Sequence, residues 1–115
     1  LLHYPSFVLD VKNAISSGLV KEKIDQVKTA QVLILDDIGA EQSSPWMRDE
    51  ILQVILQHRM QENLPTFFTS NFSFADLERH FASSKNGDET WQAKRVMERI
   101  KFLAQEVRLE GENRR

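Results

Sequence analysis

Hydrophobic and polar positions divide the chain into alternating stretches of two periods. Phe7, Val8, Val11, Ala14 and Ile15 recur at helical spacing after Ser6, an N-cap candidate, with Pro5-Ser6 read as the turn before it and Ser16-Ser17-Gly18 as the stop. Leu1 to Tyr4 reads as the end of a strand, and Val20 to Val27 as a short amphipathic helix with Lys21, Lys23 and Lys28 outward. Those lysines suit a solvated helix face better than a phosphate contact. Val32-Leu33-Ile34-Leu35 breaks the helical pattern: four consecutive aliphatic residues predict a strand over 32–36 buried on both faces, as in a parallel sheet.

After that strand, Ser44 followed by Pro45 signals a helix start, and Asp49 and Glu50 favour its positive end. The helix carries Met47, Ile51, Val54, Ile55 and Met60 and stops near Asn63, before Pro65; Trp46 and Met47 read as packing residues. Thr66-Phe67-Phe68-Thr69-Ser70, rich in β-branched and aromatic residues, predicts a second strand. Ser73 to Asp76 reads as a capping box opening a helix to about Phe81. A polar loop over 83–89 leads to a helix capped by Thr90 or Asp88 that runs to about Ala104, with Trp91, Val96, Ile100 and Leu103 on one face, and Gln105 to Leu109 reads as a last strand. Strands alternating with helices predict an α/β fold with a parallel sheet.

Composition changes this picture little. The chain has 115 residues, 41% hydrophobic and 28% charged, which suits one domain or part of one. A net charge of -2 gives no global basic signature, so any nucleic-acid contact needs a local patch. The absence of cysteine excludes disulfides and thiolate metal sites and permits a reducing compartment. No apolar run approaches the ~18–20 residues of a membrane span. The start at Leu1-Leu2-His3 rather than at methionine predicts a piece of a longer chain.

The chemistry gathers at strand ends. Asp36 and Asp37 stand where the first aliphatic strand emerges, and Asn71 where the second ends, the edge at which open α/β sheets place their ligands. Carboxylates there need a cation or hydrogen-bond donors, so a metal–phosphate site is the natural reading. The string is the Walker B pattern of a P-loop ATPase: the first acid holds the Mg²⁺ shell, and a neighbouring carboxylate orients or deprotonates the attacking water. A neutral amide such as Asn71 suits the γ-phosphate or that water. The plainer alternative is a strand and turn without catalytic meaning. Arg95 and Arg99, four apart on one helix face, suit an arginine finger or a solvated charged helix in which Glu98 pairs with Lys94 or Lys101. His3, His58 and His80 fit no ligand set and read as ordinary surface or semi-buried residues.

Three segments then carry a resemblance: Val32 to Glu41 with its Asp-Asp-Ile-Gly-Ala-Glu string, Pro65 to Asn71, and Arg95-Val96-Met97-Glu98-Arg99-Ile100 with the tail to Arg115. Together they resemble the AAA+ ATPase domain of the bacterial replicative helicase loaders, a DnaC/IstB-like clade that includes transposition helper ATPases. The resemblance covers residues 1–115, as the C-terminal part of one AAA+ domain holding Walker B, sensor 1 and the arginine-finger region. It implies ATP and Mg²⁺ as cofactors, Asp36 as the Mg²⁺ ligand, Asp37 at the catalytic-base position and Asn71 as sensor 1. It makes Arg99 the first choice and Arg95 the second for a finger acting on a neighbouring subunit's nucleotide. It further implies a cytoplasmic protein that self-associates, engages a hexameric replicative DNA helicase and single-stranded DNA, and uses ATP as an assembly switch. A transposition helper and a catalytically inactive AAA+ interaction module are the alternatives.

One departure is plain. No G-x-x-x-x-G-K-[ST] occurs, and Gly18, Gly39, Gly87 and Gly111 lie far apart. The P-loop strand of this family precedes the position of Leu1 and sits inside the sheet. The expectation is an incomplete sheet with apolar edges and a segment that by itself does not bind ATP.

Overall fold

A computed structural model of the chain describes residues 1–42, 44–83 and 89–104. The predicted last strand over 105–109, Gly87, Asp88 and the basic tail lie outside those residues. Three strands, β1 (Leu2–His3), β2 (Leu33–Asp36) and β3 (Thr66–Phe68), form a wholly parallel sheet in the order β1-β2-β3. The registers Leu2↔Leu35 and Leu35↔Phe68 bring all three carboxyl ends to one edge. No helix among the described residues is long and apolar enough to cross a membrane.

Helix α1 (Tyr4–Ala14) follows β1 without a turn, because Pro5 lies in its first turn, where its missing N–H and fixed φ cost nothing. Ser6 is therefore inside the helix rather than its cap, and its hydroxyl meets His3 Nδ1 at 2.9 Å. Phe7, Val8, Val11 and Ala14 are buried as their spacing requires, whereas Ile15, beyond the last turn, is 55% exposed. Gly18 turns the chain with φ 75° into α2 (Val20–Lys28).

β2 begins at Leu33; Val32 is 58% exposed. Leu33 and Leu35 enter the core, but Ile34 and Asp36 are only half-buried, so the strand is not covered equally on both faces. The helix after β2 holds a feature that periodicity does not reveal. Ser44 caps it, its hydroxyl accepting the Met47 N–H at 3.2 Å, but Met47–Leu52 is π-helical before α3 (Gln53–Gln61) resumes normal winding. The wider turn shifts the phase of the buried face. Leu52 and Leu56 join Met47, Ile51 and Ile55 inside, while Val54 and Trp46 are each 40% exposed.

After β3, Ser73 Oγ accepts the Asp76 N–H at 3.1 Å and opens α4 (Phe74–Ala82), one half of the expected capping box, while the Asp76 carboxylate pairs with Arg79. Helix α5 (Thr90–Ala104) buries Ala93, Val96, Met97 and Ile100. Thr90 is its first residue rather than its cap, and Trp91, expected on the buried face, is 65% exposed. Lys94 pairs with Glu78 of α4 at 3.6 Å rather than with Glu98.

Two arginines lie in this core. Arg59, wholly buried, donates from Nε to Thr66 Oγ1 (2.7 Å), from Nη2 to the Pro65 carbonyl (2.7 Å), and from Nη1 to the Val27, Lys28 and Ala30 carbonyls (3.3, 3.2 and 2.7 Å). It joins the end of α2 to the strand entries at the amino edge of the sheet. Burial pulls its pKa down, and none of these partners is a carboxylate. Arg48, on the π-turn, is held by Asp49 (2.7 Å), Glu89 (2.6 Å) and the Phe81 carbonyl (2.9 Å). Its hydrogen bond to Asp49 leads the causes that raise its pKa. It fastens α4 and α5 to the helix after β2.

β2 is the one strand partner of β3 among the described residues. Beside β3 lies a groove of about 510 Å³ whose walls include Ile34, Phe67, Phe68, Phe74, Leu77 and Ile100. Phe67 is 49% exposed there, as the expectation of an open apolar edge requires.

Candidate active site

The carboxyl edge of β2 turns sharply. Asp36 is the last strand residue, and Asp37 adopts a left-handed conformation with φ 62°, which aspartate tolerates better than most residues. Thr69 fixes both acids: its hydroxyl donates to Asp36 Oδ1 at 2.6 Å and accepts the Asp37 N–H at 2.8 Å. The ladder continues past β3, with Thr69 N–H on the Leu35 carbonyl (3.0 Å) and Ile38 N–H on the Thr69 carbonyl (2.9 Å). Ser70 Oγ donates to the Ile38 carbonyl at 2.6 Å.

This stitching brings Asp37 and Asn71 to one small cavity of about 190 Å³, also lined by Ile38, Gly39, Ala40, Ser70 and Phe72. Asp36 lies beside it, half-buried and tied through Thr69. The two acids and the amide expected at strand ends therefore share one edge. Arg95 and Arg99 do not join them. They line a different groove of about 580 Å³ between α3 and α5, with Lys28, Gln57, His58 and Trp91. Arg99 directs Nε and Nη2 to Gln57 Oε1 at 2.9 and 2.6 Å, and Arg95 lies 5.0 Å over the Trp91 ring.

Other contacts carry no sequence signal, most of them because they join residues far apart in the chain. His3 pairs in register with Asp36, and its Nε2 stands 3.4 Å from Asp37 Oδ2. Glu41 accepts the Gly39 N–H at 2.8 Å and meets His80 Nε2 at 2.9 Å. Gly39, with φ 107°, lies against Phe72: an added Cβ would stand 2.7 Å from its ring. The Gly-Ala-Glu part of the string thus has a local physical meaning. Gly39→Ala is expected to cost about 1–3 kcal/mol through forced φ and ring displacement, read as a lowered Tm.

Carboxylates at a strand end, such as Asp36 beside Asp37, fit Mg²⁺, which keeps several waters and takes one or two protein carboxylates beside phosphate oxygens. Among the described residues no cluster of three or more His, Asp or Glu forms a metal cage. Such a site needs the nucleotide's phosphates to complete it.

A family model described as IstB-like ATP binding protein matches residues 3–115. The chain belongs to that family. It is 50% identical over 116 residues to the replicative helicase loader DnaI of Bacillus subtilis (strain 168), matching all of this chain and 37% of that protein. A crystal structure of DnaI superimposes with a TM-score of 0.78 at 45% identity, over 89% of this chain and 52% of that one. A candidate primosome component from Streptococcus pyogenes serotype M3 superimposes with a TM-score of 0.70 at 63% identity, over 99% of this chain and 52% of that one. The fold is thus that of a DnaI-like AAA+ P-loop NTPase domain, and the chain spans about a third to a half of the length of these relatives.

Proposed function

We propose that the protein carrying this chain is an ATP-dependent loader of the replicative DNA helicase. In this reading ATP binding and hydrolysis switch its assembly with a helicase hexamer and single-stranded DNA in the cytoplasm. The observation that carries the reading is the strand edge at which Asp37 and Asn71 line one cavity and Thr69 ties Asp36 to Asp37, in a chain half identical to a helicase loader.

Asp36 would hold Mg²⁺ through water and the phosphates, and the ion would supply charge neutralisation on the β- and γ-oxygens. Thr69 keeps the Asp36 carboxylate turned to the edge by donating to one oxygen and leaving the other free. Asp37 takes the proton of the attacking water, its side chain aimed by the left-handed backbone. Asn71, across the same cavity, offers an uncharged amide to the γ-phosphate or that water. Arg99 acts on the nucleotide of a neighbouring subunit, with Arg95 as the second choice, since both lie in a groove apart from their own chain's acids. A transposition helper ATPase is the second reading, favoured by the family's description alone.

The test is Asp36→Ala in the full-length protein. Mg-ATP-dependent loading of the helicase onto single-stranded DNA is expected to fall about tenfold or more, with helicase binding retained. Loading at the wild-type level would overturn the assignment.

A further inference from the structure

The Glu41–His80 pair lies behind the acid edge and touches no position assigned to nucleotide. It joins two segments that matter. Glu41 stands at the end of the loop that Asp37 begins, and His80 in the last turn of the helix that follows Asn71. The two side chains are 5% and 15% exposed and 2.9 Å apart. A carboxylate so covered is costly unless donors compensate it, and it has two: the Gly39 N–H on one oxygen and His80 Nε2 on the other.

The His80 ring is itself held between Phe81 at 5.2 Å and Phe72 at 6.0 Å between centroids, and Phe72 is the ring that fills the space over Gly39. Buried Tyr4 packs nearby; burial first, then the Glu41 charge, pushes its pKa upward and keeps the phenol neutral. Near the strands the loop is fastened by Ser70 Oγ on the Ile38 carbonyl. Glu41 and His80 fasten it again four residues after Asp37. A loop held at one end pivots; one held at both ends carries its acid at a fixed distance from the opposite segment.

We infer that Glu41 and His80 are positioning residues for hydrolysis, clamping the Asp37 loop to the Asn71 segment so that base-position carboxylate and sensing amide move as one body. The inference rests on the ATPase reading above, and the test separates the two. In the full-length protein, ATP turnover and KM are measured for His80→Ala, His80→Gln, Glu41→Gln and, as reference, Asp37→Asn. Hydrogen exchange is followed in peptides covering 37–42 and 71–79.

His80→Ala is expected to lower kcat about ten- to a hundredfold with KM within about twofold, because misplacement of the reacting groups, not nucleotide binding, is what changes. Exchange should rise in both peptides. His80→Gln, whose amide N–H reaches the same carboxylate, should recover most of the turnover. Adding Glu41→Gln to His80→Ala should cost nothing further, since both remove one contact. If His80→Ala does not fold, His80→Phe carries the test, as it keeps a ring between Phe72 and Phe81 and removes only the contact to Glu41.

Wild-type kcat in folded His80→Ala beside an inactive Asp37→Asn overturns the clamp alone. A proportional loss in kcat and KM, no recovery in His80→Gln, or an exchange rise confined to 71–79 also overturns it. Wild-type turnover in Asp37→Asn overturns the site reading, and the inference with it.

Discussion

Arg59→Ala is expected to destabilise the domain by about 3–5 kcal/mol, enough to unfold a marginal protein at physiological temperature. The change deletes one side chain and takes the guanidinium donor from five groups: the Lys28 and Ala30 carbonyls lose the donor they have here, the Val27 and Pro65 carbonyls keep only the Ala30 and Leu33 N–H groups, and the Thr66 hydroxyl keeps only its bond to the Leu64 carbonyl. These groups sit at the crossing of α2, β2 and β3, where Arg59 itself is wholly buried and little water can replace it. Arg59→Lys should recover less than half of the loss. An ammonium has three donors on a flexible stem and cannot reproduce a planar fork with five. Arg59→Met, which fills the volume and keeps no donor, should resemble Ala in denaturant midpoint. A Met variant as stable as wild type would show that the carbonyls find other partners.

The second large effect concerns turnover. Arg99→Ala is expected to slow ATP hydrolysis by the assembled full-length protein about a thousandfold, the low end of what an arginine finger contributes. Within its own chain Arg99 donates twice to Gln57 Oε1, in the groove that excludes Asp36, Asp37 and Asn71. It therefore has no route to its own chain's acid edge in this conformation. The check is a mixing experiment. Arg99→Ala supplies intact acids and Asp36→Ala supplies an intact finger, so a mixture should regain part of the activity that each lacks. Failure of that rescue would move the role to Arg95 or remove it. Arg99→Lys should not rescue, because a point charge does not match the spread charge of the transferring phosphoryl group.

Much of the architecture was legible because local chemistry dictated it. The aliphatic run ending in Asp36, the Ser44–Pro45 start and the Ser73–Asp76 box are each decided within a few residues. The alternation of strands and helices then leaves a parallel sheet as the only economical assembly. The π-turn at Met47–Leu52 was not legible, since one extra residue per turn leaves the apolar count unchanged and only shifts its phase. Along this helix Val54 lies outside and Leu52 and Leu56 inside. Trp91 was misplaced for another reason: on a helix whose buried face is filled by Ala93, Val96, Met97 and Ile100, a large ring one turn earlier is left over the Arg95 guanidinium.

For the site, residue type revealed Asp36, Asp37 and Asn71, which the strand ends present directly. Their partners were hidden. Thr69 looked like one more strand residue, yet it bonds both acids. His3, Glu41 and His80 lie on three separate segments, and only the closed fold brings His3 to Asp37 and Glu41 to His80. Nothing in the sequence singles out Arg48 and Arg59, which are nonetheless buried. Their burial rests in part on acceptors far away in the chain, Phe81 and Glu89 for Arg48 and the end of α2 for Arg59.

The aromatic flank of β3 has a consequence for biosynthesis. Parallel strands pair late, because each partner lies a whole crossover away along the chain, and among the described residues β3 has β2 as its one strand partner and Phe67 half-exposed in the groove beside it. During translation and refolding that flank is a sticky, unshielded ribbon until something covers it, the circumstance in which edge strands seed aggregates. The yield of soluble protein is then expected to depend on how quickly that flank is covered as well as on how stable the finished domain becomes.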